Sequence, residues 1–142
     1  FAAMTAMLNT WRLGANADAI ILDFHGEASS EKMAMGHFVD GKVSVVVGTH
    51  THIPTADAQV FPGGTAYQTD LGMCGDYDSV IGIRKEISVE RFVRKMPTAR
   101  MEAAAEEATL CAVMVYIDDG TGLATDIRPI RIGGRLRREM PD

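Results

Sequence analysis

The chain has 142 residues, 46% of them hydrophobic, and a formal net charge of −5. This length suits one domain with a single hydrophobic core, and the composition is globular rather than disordered. Because the chain is acidic and has no basic run interleaved with aromatic residues, DNA or RNA binding is not indicated. We therefore expect residues 1–142 to form a single domain without a nucleic-acid partner.

The cysteines and the first residues of the chain indicate the cellular compartment of the protein. Cys74 and Cys111 lie far apart and form no CxxC pair, which is typical of the reducing cytoplasm. No apolar run approaches the roughly 18 residues that span a bilayer, and the first residues lack the basic segment of a signal peptide. We expect a cytoplasmic protein without a membrane partner. A first residue that is Phe1 rather than Met indicates a piece of a longer protein.

The first predicted elements are a helix and a strand. Four apolar side chains recur at spacings of three and four residues, which predicts an amphipathic helix that ends at Gly14. They are Phe1, Met4, Leu8 and Trp11. The run AIILDF, from Ala19 to Phe24, is short, continuous and apolar, as is typical of a parallel strand buried on both faces.

A second helix and a second strand follow. Ser29 or Ser30 can cap a helix that runs to about Val39, and Gly41 stands where a left-handed residue is wanted. Val43 to Gly48 is the next buried strand. The order strand, helix, strand predicts a right-handed parallel crossover.

The second half of the chain is predicted to contain mostly antiparallel strands. AQVFPGGTAYQTD indicates two short strands around a Pro-Gly-Gly turn, and the loop LGMCGDYDS is followed by a helix from about Ile87 to Lys95. Leu110 to Ile117 and Leu123 to Ile132 form a closing hairpin. These elements predict an α/β fold with a mixed β-sheet flanked by helices.

Three histidines follow predicted strands. His25 ends AIILDFH, while His50 and His52 end VVVGTHTH, where strand alternation would point both side chains to one face. Because parallel strands present their carboxyl ends at one edge, all three imidazoles are expected to converge there. Imidazole nitrogen is a preferred ligand of zinc, iron and manganese-like ions, so His25, His50 and His52 are candidate metal ligands.

Less specific interpretations stay open. Two histidines separated by one residue are often surface or packed side chains, and His37, inside a predicted helix, fits a structural role. Asp23 shares strand parity with His25 and is either a carboxylate that orients its ring or a hydrogen-bonded strand-end residue. Turn and cap roles are the default for the loop acids Asp57, Asp70, Asp76 and Asp78. Met33, Met35 and Cys74 fit buried apolar positions.

Four motifs make a more specific pattern than any histidine pair. They are DFHxEA, SEKxAMG, GTHTHxPTAD and GGTAY, and with them nearly the whole chain resembles the YmdB-like metallophosphoesterases of bacteria. This branch of the calcineurin-like superfamily hydrolyses cyclic nucleotides, including 2′,3′-cyclic ones. Gly26 and Ser29 depart from the family's usual Ala and Thr.

The resemblance implies a two-metal site. His25 and His50 would be ligands of one metal ion and His52 a ligand of the other. The two ions would be divalent or trivalent, with iron, manganese or zinc as the candidate metals. The two ions would hold the phosphodiester substrate and activate a hydroxide for in-line attack. The implied fold is half of the four-layer metallophosphoesterase sandwich.

The resemblance also shows what this sequence lacks. The family's amino-terminal half carries an Asp, a Glu-Asn pair and a Gly-Asn-His element whose His protonates the leaving group, and none of these occurs here. No catalytic residue is therefore assigned, and the chain is expected to be a carboxyl-terminal half. Two functions stay open: part of a phosphodiesterase that needs the missing amino-terminal half, or a noncatalytic metal-binding or protein-association module. Association with further copies of this chain in a homo-oligomer also stays open.

Overall fold

The structure, a computed structural model that describes residues 1–96 and 99–141, is built on a four-stranded mixed β-sheet with the first two helices on one face and a long hairpin on the other. The helices are α1 (Ala2–Thr10), α2 (Ser29–Val39) and α3 (Lys85–Arg94). The strands are β1 (Ile21–His25), β2 (Val45–Thr49), β3 (Gln59–Val60), β4 (Ala66–Gln68), β5 (Gly75–Asp76), β6 (Ser79–Val80), β7 (Ile83–Arg84), β8 (Ala108–Ile117) and β9 (Ala124–Ile132). The predicted fold class is confirmed.

The central sheet has the strand order β1-β2-β4-β3. β2 is parallel to both β1 and β4, whereas β3 is antiparallel to β4. This arrangement confirms the predicted parallel crossover through α2 and the pair of short strands after it. In the β1-β2 register His25 lies opposite Thr49, so the next residue of the chain emerges at the same edge of the sheet.

Two hydrophobic clusters cover the two faces of this sheet. Val46 packs toward α1 and α2 in a cluster that includes Met4, Met35 and Tyr67. Val45 and Val47 face the other way and pack against the hairpin of β8 and β9. Burying each of these valines stabilises the fold by about 1.5–3 kcal/mol, which explains the continuous apolar run in β2.

Three local predictions are wrong. β1 is not buried on both faces, because its side chains alternate between exposed and partly buried, and Ile21 is 68% exposed. Neither Ser29 nor Ser30 caps α2, because the cap position is Ala28 and no side chain bonds to that helix end. Met33 is 41% exposed, whereas Met35 is buried as predicted.

Three two-residue strands lie in and just after the segment predicted as a loop: β5 is within it, β6 begins at its last residue and β7 follows it. β5 pairs with β8, and β6 pairs with β7. Elements this short have no detectable period in a sequence, so their partners alone define them. Cys74, which precedes β5, is exposed rather than buried. The closing hairpin is confirmed, with β8 antiparallel to β9.

Replacing Gly48 by alanine is expected to destabilise the protein by about 3 kcal/mol or more. A Cβ at Gly48 would overlap the backbone carbonyl of Thr69 and come within 2.7 Å of the Lys32 side chain. The backbone at Thr69, directly after β4, cannot yield without disturbing the pairing of β4 with β2. Urea unfolding measures the effect, with Gly26→Ala as the control, because a Cβ there lies at an ordinary 3.7 Å from Lys32. Equal midpoints for the two variants would contradict this prediction.

Candidate functional site

His25 and His50 meet at the carboxyl edge of the sheet. Nε2 of His25 lies 3.4 Å from Nδ1 of His50, and the two ring centroids are 5.2 Å apart in an edge-to-face arrangement. β1 carries His25 at its last position, and His50 directly follows β2. Both side chains are exposed to solvent. The parallel crossover therefore brings two of the three predicted ligands together.

A hydrogen-bond relay determines which nitrogen of His25 is free. The hydroxyl of Thr49 donates to Oδ1 of Asp23 at 3.3 Å, so its oxygen must accept the bond, 3.0 Å long, from Nδ1 of His25. Nε2 is then the acceptor of the 3.4 Å hydrogen bond from Nδ1 of His50. Asp23 thus orients the ring as one of its two predicted roles requires, although it does so through Thr49.

His52 is held differently from the other two. Because β2 ends at Thr49, strand alternation does not extend over the THTH segment, and φ is +149° at His50 and +67° at His52. Nδ1 of His52 lies 2.9 Å from the carbonyl oxygen of Ile81, which can only accept, so Nε2 is again the free nitrogen. Tyr77 donates its hydroxyl to the carbonyl of His52 at 3.1 Å.

The three histidines do not form one cluster. Within residues 1–96 and 99–141, no three side chains of His, Cys, Asp or Glu are grouped so that they could hold a metal ion. The available donors do have the right chemistry, because the Nδ1 bonds of His25 and His52 leave Nε2 as the ring nitrogen that each can present to an ion. Metal binding by His25, His50 and His52 stays a prediction, and the other ligands of an ion would have to come from elsewhere.

A buried ion pair supports the histidine segment from beneath. Lys32 of α2 and Asp70 are each 1% exposed, and Nζ of Lys32 lies 3.0 Å from Oδ2 of Asp70. The same oxygen accepts the backbone N–H of Thr51 at 2.8 Å, and Oδ1 accepts that of Gly72 at 2.9 Å. Asp70 therefore has the predicted turn role and also holds the residue between His50 and His52.

As a single residue, Lys32 gives no functional signal in the sequence. A lysine on a helix is normally solvated, and only the packing of α2 over the sheet shows that this one is buried. Its alkyl chain passes close to Gly48, where a side chain would block it. The sequence signal that could have found Lys32 is the family motif SEKxAMG, in which it is the third residue.

Asp57 anchors the chain after the histidines. Its Oδ1 accepts the backbone N–H of Thr69 at 3.2 Å, and its Oδ2 accepts the hydroxyl of the same threonine. Tyr67, fully buried, is hydrogen-bonded to that hydroxyl at 2.9 Å. The PTAD motif is thus fastened to the end of β4.

Stability is expected to fall below about pH 4 as Asp57 and Asp70 are protonated. Burial raises the pKa of each carboxyl, but hydrogen bonds to the carboxylate outweigh this effect, so both pKa values lie below the ordinary 3.8. Thr55 and Thr69 supply these bonds at Asp57. Thr51, Gly72 and Lys32 supply them at Asp70. The contribution of these two carboxylates to the free energy of unfolding is complete above their pKa in the unfolded chain. It is lost as the pH falls through their lower pKa in the folded protein.

Urea midpoints of the unchanged chain and of Asp57→Asn, compared from about pH 6 to pH 2, measure this effect. The difference between them should be constant above about pH 5 and shrink on acidification. A difference that stays constant to the acid end of the range would contradict the lowered pKa of Asp57.

No helix in the described part of the chain is both long and apolar enough to cross a membrane.

Comparisons with known proteins give a consistent family assignment. Residues 1–130 match the sequence profile described as YmdB-like protein. A Bacillus subtilis protein named 2′,3′-cyclic-nucleotide 2′-phosphodiesterase is 48% identical over 113 residues, which are 80% of this chain and 42% of that protein. The chain thus spans less than half the length of this curated relative.

Two crystal structures share the fold. A hypothetical protein from Thermus thermophilus superposes with a TM-score of 0.83 at 38% identity, over 94% of this chain and 50% of the other. A structure described as a novel phosphatase, from Mycoplasma pneumoniae, gives a TM-score of 0.83 at 34% identity, over 99% of this chain and 47% of the other. With its motifs, its fold and these relatives in agreement, the chain belongs to the YmdB-like protein family.

Proposed function

We propose that this chain is part of a metal-dependent phosphodiesterase that hydrolyses cyclic nucleotides of the 2′,3′ type. The observation that carries the proposal is the 3.4 Å approach of His25 Nε2 to His50 Nδ1 at the carboxyl edge of the sheet. Two imidazole nitrogens this close are suited to a shared metal ion. The name of the Bacillus subtilis relative supports the substrate class.

Each residue of the site has a distinct part in this proposal. His25, His50 and His52 each offer one ring nitrogen to a pair of divalent or trivalent ions, of iron, manganese or zinc. The relay from Asp23 through Thr49 orients His25, and Asp70 holds the backbone between His50 and His52. When bound, such ions supply Lewis-acid stabilisation of the phosphoryl oxygens and a nucleophile at neutral pH.

Three histidines are too few for two ions, which need about four or more ligands each. We infer that an amino-terminal half supplies the remaining ligands and the proton donor for the leaving group. The coverage of less than half of the Bacillus subtilis relative is consistent with this division.

The 142-residue chain by itself is expected to show little or no turnover of 2′,3′-cyclic AMP in the presence of Mn²⁺. Adding the separately expressed amino-terminal half of the Bacillus subtilis relative should produce metal-dependent hydrolysis, measured as release of nucleotide monophosphate. Robust hydrolysis by the isolated chain would contradict the division of the site. Absence of hydrolysis in the mixture, with both parts shown to associate, would contradict the phosphodiesterase itself.

A noncatalytic protein-association module is the alternative, and α3 favours it. Phe92 and Val93 are 77% and 75% exposed, and no residue of this helix is buried. An apolar helix face of this kind is typical of an interaction surface. The same mixing experiment separates the two functions, because an association module would bind the amino-terminal half without restoring turnover.

A further inference from the structure

A groove beside α1 is lined by groups that the proposed phosphodiesterase does not use. It has a volume of about 400 Å³ and lies between α1 and the end of α2. Trp11, which helical spacing places on the apolar stripe of α1, is instead 52% exposed, because the helix ends at Thr10. Phe38 of α2 also lines the groove and is partly exposed.

The groove is positively charged although the protein is acidic. Arg12 and Lys42 line it, and no carboxylate does so among the described residues. Neither cation forms an ion pair within residues 1–96 and 99–141. Nζ of Lys42 lies 5.2 Å from the centre of the Phe38 ring and donates to the carbonyl of the same residue at 3.1 Å. In the described part of the chain, the two cations thus have no carboxylate partner, and Lys42 lies against an aromatic ring.

We propose that this groove binds a nucleoside monophosphate. The exposed indole of Trp11 offers a face on which a base can stack. The guanidinium of Arg12 and the ammonium of Lys42 match a phosphate group, since arginine binds phosphate through two parallel hydrogen bonds. A volume of about 400 Å³ is within the range of small-molecule sites.

The groove is separate from the histidines. Lys42 precedes β2 and His50 follows it, so the five residues of that strand lie between them. At roughly 3.3 Å per residue, this places the two sites about 16 Å apart, at opposite ends of the sheet. The inference therefore does not depend on the proposed phosphodiesterase.

The fluorescence of Trp11 provides the test, because it is the only tryptophan in the chain. Titrating the 142-residue chain with adenosine 5′-monophosphate, in the presence of a chelator, should quench the emission saturably with a Kd below about 1 mM. Adenosine and inorganic phosphate, tested separately, should each bind at least about tenfold more weakly, because each has only half of the recognised chemistry. Raising the salt concentration should weaken the nucleotide's binding.

Matched variants locate the site. Arg12→Gln and Lys42→Gln should each weaken nucleotide binding by about tenfold or more, whereas Arg138→Gln, at an exposed cation elsewhere, should not. His50→Ala should also leave it unchanged, so a failure of the phosphodiesterase proposal would not affect this result. Absence of saturable quenching, equal binding of adenosine, or binding unaffected by both cation replacements would overturn the inference, as would loss of binding in His50→Ala.

Discussion

His50→Ala is expected to lower the affinity of the chain for Zn²⁺ by at least about tenfold without unfolding it. The replacement removes one of the two nitrogens that lie 3.4 Å apart at the sheet edge, and the exposed ring contributes little to the core. In the mixture with the amino-terminal half, hydrolysis of 2′,3′-cyclic AMP should fall by about 100-fold or more. Elemental analysis and competition with a chromogenic chelator measure the metal, and circular dichroism monitors the fold.

His37 provides the matched control, because it is the one histidine of the four that the proposal does not use. It lies in α2 and stacks on Phe61 with ring centroids 4.2 Å apart. His37→Ala should leave the bound metal unchanged. Equal metal contents in the His50 and His37 variants would remove the support for a metal site at the sheet edge.

Asp70→Asn is expected to reduce the free energy of unfolding by about 3–5 kcal/mol. The carboxylate is 1% exposed and pairs with Lys32, which is equally buried, so its neutralisation leaves a lysine charge without compensation in the interior. The backbone N–H groups of Thr51 and Gly72, which donate hydrogen bonds to the Asp70 carboxylate, would also lose their charged acceptor. Urea denaturation at pH 7 measures the change.

Asp119→Asn is the control for this replacement, since it neutralises an exposed carboxylate in the turn between β8 and β9. Its unfolding midpoint should equal that of the unchanged chain. If Asp70→Asn were as stable as this control, the buried pair would have no structural role. Metal binding by Asp70→Asn, measured where the variant is still folded, should also weaken because Thr51 is released.

The histidine site illustrates which predictions a single sequence supports. His25 and His50 could be paired in advance because each comes at the end of an apolar run, and parallel strands present their carboxyl ends at one edge. His52 could not be placed in the same way. The strand ends at Thr49, and the positive φ angles at His50 and His52 rotate the following residues out of the strand pattern.

Local periodicity, turn residues and a family motif were enough to determine the order of the main elements, the parallel crossover and the hairpin of this protein. Only the tertiary structure decided that Lys32 is buried against Asp70, that Ile21 lies on an open edge and that Trp11 faces solvent. The physical reason is that spacing along a chain specifies which residues share a face, whereas burial and charge pairing depend on which distant element covers that face.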